Sequence, residues 1–341
     1  MARSLGQLAA EFGCELIGDP SVSVSGVATL SNAGAGHLSF FANKAYRDEL
    51  RRTQAAAVLL RSADADDCPV AALIIDDPYL TYARIAAILH PEPAVVAGIH
   101  GSAVVSATAA VSLSAEISAH ATISDDAMIG DDVLVGPGVV VGPRCRVGKG
   151  SRLLANATLV QDVTLGERCI VHPGAVVGAD GFGHAMGEVG WVKVPQLGGV
   201  RIGNDVEIGA NTTIDRGAIE DTVLEDGVRL DNLVQIAHNV HVGAHTAMAA
   251  FVGVSGSTII GERCMLAGRV GVVGHANICD DVIVGGAAVV SKDITEPGFY
   301  SGSFMAEKDR DWKRRVAHFR RIGDLARRVK ALERAADEDD D

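Results

Sequence analysis

Written in sixes, residues 111–146 read VSLSAE ISAHAT ISDDAM IGDDVL VGPGVV VGPRCR. Every hexad opens on an aliphatic side chain, and the beat extends well beyond this stretch. It starts at Ile99 and Val105 and runs unbroken through Val147, Leu153, Leu159, Leu165, Val171 and Val177. It resumes at Ile202, Ile208 and Ile214, slips by four residues, and runs again from Leu224 to Val290. A helix repeats every 3.6 residues and a strand every two, so neither explains a period of six. A hexapeptide period marks a solenoid of parallel β-coils, each hexad one short side whose aliphatic points into a shared core. The Gly, Ala, Ser and Asn residues between the aliphatics suit tight corners. Three hexads per coil predict roughly ten coils over residues 98–298.

Residues 1–97 do not carry the beat. Ser4 can cap a helix over Leu5–Phe12, because a serine oxygen accepts from the open amides of a first turn. Residues 56–60 and 70–75 read as strands, and 78–90 as a helix with proline at its first position. They predict a small α/β domain that closes at His90-Pro91-Glu92-Pro93. Within the solenoid, the Gly-rich stretch between Val177 and Ile202 carries Phe182 and Trp191, and the two aromatics predict a loop that packs on something. Past Pro297-Gly298, residues 299–341 form a C-terminal extension. There 307–334 predict one basic helix with an apolar stripe of Trp312, Val316, Phe319, Ile322, Leu325, Val329 and Leu332. The acidic tail after it is expected to be disordered.

At 341 residues the chain is long enough for two or three domains. A net charge of −13 argues against a nucleic-acid footprint, which is normally basic. Six scattered cysteines with no C-x-x-C pair fit a reducing compartment. No secretory h-region opens the sequence and no apolar run is long enough for a transmembrane segment, so a soluble, cytoplasmic protein is expected.

The polar run Asp231–Val242 is the richest in chemistry, with Asp231, Asn232, Gln235, His238, Asn239 and His241 around inward aliphatics. His238 lies two positions after Ile236, so alternation points it inward or towards a corner. Gly256, eighteen residues on, should stack directly above it, its amide open as an oxyanion donor. His275 falls one position off the next rung. An acid–base site on this edge competes with a zinc site built from His238, His241 and His245, which ranks lower because the spacing suits a helix and this segment is a coil. In the first domain, Phe40-Phe41-Ala42-Asn43-Lys44-Ala45-Tyr46-Arg47 offers two rings to sandwich a planar base and an amide to read its edge. A plain hydrophobic core explains those residues equally well.

The ladder, the loop 178–183 (GADGFG), the runs Thr213–Ala218 and Asp231–Val240, Gly274-His275 and Ile294–Gly298 together resemble the UDP-3-O-(3-hydroxyacyl)glucosamine N-acyltransferases of lipid A, and hence lipopolysaccharide, biosynthesis. The resemblance covers nearly the whole chain. It implies a mainly β fold: a left-handed parallel β-helix with a small N-terminal α/β domain that binds uridine and a C-terminal helical extension. It also implies a homotrimer with sites between subunits, an acyl carrier protein as donor and UDP-3-O-acyl-glucosamine as acceptor. On this resemblance His238 is the general base and Gly256 the oxyanion donor. Asn239 and His275 lie near the diphosphate, and Phe40, Asn43 and Tyr46 hold the uridine. No cofactor or metal is implied beyond the donor's phosphopantetheine. The family often has Asn-Pro-Lys-Tyr where this chain has Asn43-Lys44-Ala45-Tyr46. A related sugar O-acyltransferase, a CoA-dependent acetyltransferase and, more remotely, a zinc hydrase are the alternatives.

Overall fold

The computed structural model describes residues 2–303 and 306–339, the last five of these as backbone only. It separates into two compact units, 1–94 and 95–341.

In the first unit Ser4 and Gln7 form a reciprocal cap. Gln7 N–H donates to Ser4 Oγ at 3.2 Å, and Ser4 N–H to Gln7 Oε1 at 3.0 Å. Such a box closes two open donors of the Leu5–Phe12 helix. The expected strands are one residue shorter at their edges, Ala57–Leu60 and Ala71–Ile74. They form the middle of a five-stranded sheet with Glu15–Ile17, His37–Phe40 and Gly26–Val27. The Pro78–Leu89 helix, capped by Asp77, packs Ile85 and Leu89 against Leu38, Leu59 and Leu73.

The second unit is the solenoid. Most of its strands are two residues long, and they stack into three parallel sheets of nine, eleven and ten strands among the described residues. The register repeats every eighteen residues: Ile117 lies beside Val135, and Val135 beside Leu153. From Ile117 to Val290 the ladder aliphatics are buried. Ile99 is not. It sits in the first coil, where no coil lies beneath it, and is 54% exposed. A second inward column escapes the hexad reading: Ala115, Ala121, Ala127, Val133, Val139 and Cys145, two residues before each ladder position, are also buried. Small side chains there leave room for the larger aliphatics in a narrow close-packed interior. The corners take left-handed backbone, as at Asp126 (φ 58°) and Asn156 (φ 59°), a conformation that Asp and Asn tolerate best after glycine.

Two breaks in the period have structural causes. Between Val177 and its neighbour Ile214 the register grows to 37 residues, because the chain leaves the coil as an antiparallel hairpin, His184–Gly187 with Gly190–Lys193. Its aromatics are not covered within the chain: Phe182 is 82% exposed and Trp191 64%. The four-residue slip follows Ile214, where Ile202 pairs with Leu224 twenty-two residues on and the surplus forms a loop after Asp215. Arg216 in that loop is buried. It donates from Nε to Gly198 O at 2.6 Å and from Nη2 to Asp162 Oδ2 at 3.2 Å, fastening the hairpin's return strand to the coil.

The C-terminal extension departs from the single helix expected. It is two, Asp309–Arg320 and Ile322–Asp339, broken at Arg321 (φ −99°, ψ 3°) beside the poor helix former Gly323. The apolar stripe lies open, and its members from Trp312 to Leu325 line a groove of about 740 Å³ with Arg315, Arg321 and Arg328. The second helix carries three residues of the tail expected to be disordered, up to Asp339. The remaining two, 340 and 341, lie outside the described residues. Among the described residues no helix is long and apolar enough to cross a membrane.

Candidate active site

His238 follows the strand Gln235–Ile236 and sits half-buried at the corner, in the place alternation allowed but could not settle. Its neighbour Asn239 takes the left-handed corner conformation (φ 59°), and this brings the amide alongside the ring. Asn239 Oδ1 lies 3.0 Å from His238 Nδ1 and also accepts from Ala218 N–H at 3.0 Å. Asn239 Nδ2 donates to Glu220 O at 2.9 Å. With a backbone donor on one side and a backbone acceptor on the other, the amide has one orientation. An oxygen facing Nδ1 requires Nδ1 to carry the proton, which leaves Nε2 as a bare acceptor. Asn239 was expected beside a diphosphate; here its side chain is committed to the histidine and the slip loop.

Gly256 stands one coil above, as the eighteen-residue arithmetic required, with Ser257 N–H donating to His238 O at 3.0 Å. A Cβ on Gly256 would lie 2.6 Å from His238 Cε1 and 2.8 Å from Nε2. The imidazole therefore occupies the space a side chain would fill. The Gly256 N–H is used by no hydrogen bond among the described residues. A second glycine, not singled out in the sequence, closes the other flank. A Cβ on Gly181 would come within 2.8 Å of His238 Cβ and 2.9 Å of Gln196 Oε1. The ring is held between two glycines, one from the coil above and one from the segment that leads into the hairpin.

His238 lines a cavity of about 640 Å³ with Phe182, Asp215, Gln235, Gly256, Gly271 and Val289 among its walls. Gln235, Gly253, Gly271 and Val289 form one outward column on four successive coils. A Cβ on Gly253 or Gly271 would meet nothing within 4 Å, so the two glycines cut a trough into the sheet face, open from Gln235 and ended by Val289. The larger groove between the C-terminal helices is lined mainly by apolar and basic side chains, with His318 and Asp324. Asp215 was also missed. Gln235 Nε2 donates to its Oδ2 at 2.9 Å, and Thr213 Oγ1 donates to Gln235 Oε1. Burial pushes the Asp215 carboxyl up, opposed by the Gln235 hydrogen bond and the nearby His238 imidazole.

His275 is exposed, stacked over Asn239 and Ser257 in the left-handed corner column (φ 62°). Its N–H donates to Gly256 O at 3.0 Å, but its side chain does not line the His238 cavity. The three histidines weighed as zinc ligands do not converge within the chain. His241 lies in a different sheet, with Nε2 2.8 Å from Glu225 Oε1, and His245 lies at another corner against Gly227. In the first unit, Phe40 packs against Tyr82 (centroids 4.4 Å apart) and Tyr79 (5.3 Å), while Tyr46 is exposed. Asn43 Oδ1 accepts from Ala45 N–H at 2.9 Å and caps the short 3₁₀ turn Lys44–Tyr46. That cap stiffens the turn where the family often has proline, and it leaves the Asn43 amide nitrogen for other partners.

A three-sided parallel coil with a hexapeptide period defines the hexapeptide-repeat transferases, and residues 144–179 match the family model for bacterial transferase hexapeptide repeats. Residues 21–88 match the model described as UDP-3-O-(3-hydroxymyristoyl) glucosamine N-acyltransferase, LpxD. A UDP-3-O-acylglucosamine N-acyltransferase of Pseudomonas fluorescens is 50% identical over 334 residues, covering 98% of this chain and 95% of the relative. Another of the same name from Xanthomonas axonopodis pv. citri is 51% identical over 325 residues, 95% and 96% of the two chains. The chain belongs to the UDP-3-O-acylglucosamine N-acyltransferase (LpxD) family. Among solved structures, LpxA from Acinetobacter baumannii aligns with a TM-score of 0.49 at 24% identity, over 60% of this chain and 71% of that one.

Proposed function

We propose that the chain transfers a 3-hydroxyacyl group from acyl carrier protein to the 2-amine of UDP-3-O-(3-hydroxyacyl)glucosamine, as a homotrimer acting in the cytoplasm. One observation carries this reading: a histidine whose Nδ1 proton is given to Asn239 holds a bare Nε2 beside Gly256, whose amide makes no hydrogen bond among the described residues. The amine nitrogen attacks the thioester carbonyl, and His238 Nε2 takes its proton as the carbon–nitrogen bond forms. The Gly256 N–H receives the developing oxyanion. Collapse breaks the carbon–sulfur bond, and the imidazolium returns the proton to the departing phosphopantetheine thiolate. The reaction balances with no metal or redox cofactor. The glycine trough of Gly253 and Gly271 suits an acyl chain, which has only apolar surface to bury. Phe40, Asn43 and Tyr46 are assigned to the uridine and His275 to the diphosphate. The basic, open C-terminal groove is assigned to the acidic carrier protein.

The test is transfer from 3-hydroxyacyl carrier protein to the amino sugar by wild type and His238→Ala, beside acetyl-CoA as an alternative donor and a UDP-sugar hydroxyl as an alternative acceptor. N-acylation from the carrier protein, reduced about 10²–10⁴-fold by the substitution, is expected. Preferred O-acylation or acetyl transfer would displace this reading in favour of a related transferase.

A further inference from the structure

An amine that arrives protonated must lose two protons in becoming an amide, one to become a nucleophile and one after attack. A hydroxyl acceptor loses only one. His238, with a single bare nitrogen, accounts for one of the two. The same cavity holds a second group able to accept a proton. Asp215 lines it, half-buried, with one oxygen bound to Gln235 and no hydrogen bond to the other among the described residues. Gln235 cannot turn away, because its own oxygen is taken by Thr213.

A carboxylate in such a place normally has a permanent cation beside it, and among the described residues none is paired with Asp215. Among the described residues no Lys or Arg lies within ion-pair distance of it. Arg216, next in sequence, is spent on Gly198, Leu197 and Asp162. Lys193 of the hairpin is paired with Asp180. The other titratable group on the cavity wall is His238 itself.

We infer that Asp215 binds the acceptor's amino group as an ammonium ion and takes its first proton, so that it, rather than His238, makes the site selective for an amine. This rests on the N-acyl-transfer reading. The ammonium N–H transfers its proton to the free Asp215 oxygen, leaving a neutral amine with its lone pair. That amine attacks the thioester, its second proton goes to His238 Nε2, and the thiolate leaves with the proton from His238. Asp215 afterwards releases its proton to solvent. Burial, which holds the Asp215 carboxyl above the ordinary range, narrows the gap between it and an amine and makes the first transfer easier.

Asp215→Asn keeps an oxygen for Gln235 and removes the proton acceptor. The pH profile of kcat/KM for the amino-sugar acceptor is the readout. In the variant the acid limb should move up to the acceptor amine's own pKa, with the deficit about 10²-fold below that pKa and largely recovered above it. Asp215→Glu should keep the wild-type limb, and affinity for the N-acylated product, which has no ammonium, should not change. On the wild type alone, calorimetry in buffers of different ionisation enthalpy counts protons on acceptor binding. Below the amine's pKa, binding as the ammonium releases none to buffer. A deficit equal at every pH, an equal loss of product affinity, or release of a proton on wild-type binding would overturn the assignment. A wild-type enzyme that acylates a sugar hydroxyl instead of the amine would fail the underlying reading, and this assignment with it.

Discussion

Substituting Gly256 by alanine isolates the contact on which the proposed geometry depends. Gly256 has no left-handed φ, so alanine fits the backbone and any effect comes from the added methyl group alone. That methyl would start 2.6 Å from His238 Cε1, and ordinary contact begins near 3.4 Å, so the ring must retreat by about 0.8 Å or swing out. On the other flank a Cβ at Gly181 would fall 2.8 Å from His238 Cβ and 2.9 Å from Cδ2, so the chain there leaves the ring little room to retreat. The ring therefore rotates off Asn239. The lost hydrogen bond costs about 0.5–1.5 kcal/mol, a small part of the stability of a coil held by its aliphatic ladder. The catalytic effect is far larger, since displacement of a reacting group by about 1 Å can cost about 10²-fold. Steady-state acyl transfer at saturating acceptor should show kcat down by about that factor, KM little changed, and a melting temperature within a few degrees of wild type. A kcat within threefold of wild type would refute the claim that the imidazole works from the position seen here.

Asn239→Ala frees the histidine tautomer, so kcat should fall about tenfold or more with acceptor KM unchanged; a rise in KM alone would return Asn239 to the diphosphate. Phe40→Ala or Tyr46→Ala should raise KM for the nucleotide sugar and spare kcat, since stacking remote from the reacting amine is uniform binding; a kcat loss at constant KM contradicts the uridine assignment. Gly271→Leu fills the trough, and chain-length profiling of donor thioesters should show preference moving to shorter acyl groups; an unchanged profile would place the acyl chain elsewhere. The hydrogen bond from Arg144, followed by burial's opposing effect and the Arg144 charge, holds the Asp162 carboxyl below its usual range. A depressed folded-state pKa gives stability that is present above the unfolded value and lost as pH falls through the folded one. Asp162→Asn should therefore lower the melting temperature near neutrality, with the gap closing well below pH 3.8, the ordinary Asp value; a pH-independent gap would mean that packing, not charge, is lost.

The coil could be read from the chain because burial in a solenoid is decided by position in the period, and each aliphatic from Ile117 to Val290 answers the same geometric demand. The hand of the coil could not be read that way, since a period of six is the same for either, and it came only from the resemblance. Ile99 shows the limit of the same argument at an end, where position in the period is right but the covering coil is missing. The site divides along similar lines. Gly256 could be found because it stands one full coil from His238. Gly181 could not, because the hairpin between Val177 and Ile214 breaks the stacking arithmetic and the contact crosses 57 residues with no periodic relation. The contact of Asn239 with the histidine could not be read from the sequence, because it depends on backbone groups at Ala218 and Glu220, which the slip loop delivers and composition does not reveal. Asp215 was within reach. Once the four-residue slip is added to the eighteen-residue coil, Ile214 lies beside Ile236, and Thr213 beside Gln235. The same count puts Asp215 level with Ala237, next to the histidine. A slip in a repeat is thus itself a positional clue, because it shifts which residues become neighbours, and here it sets a carboxylate beside the proposed base.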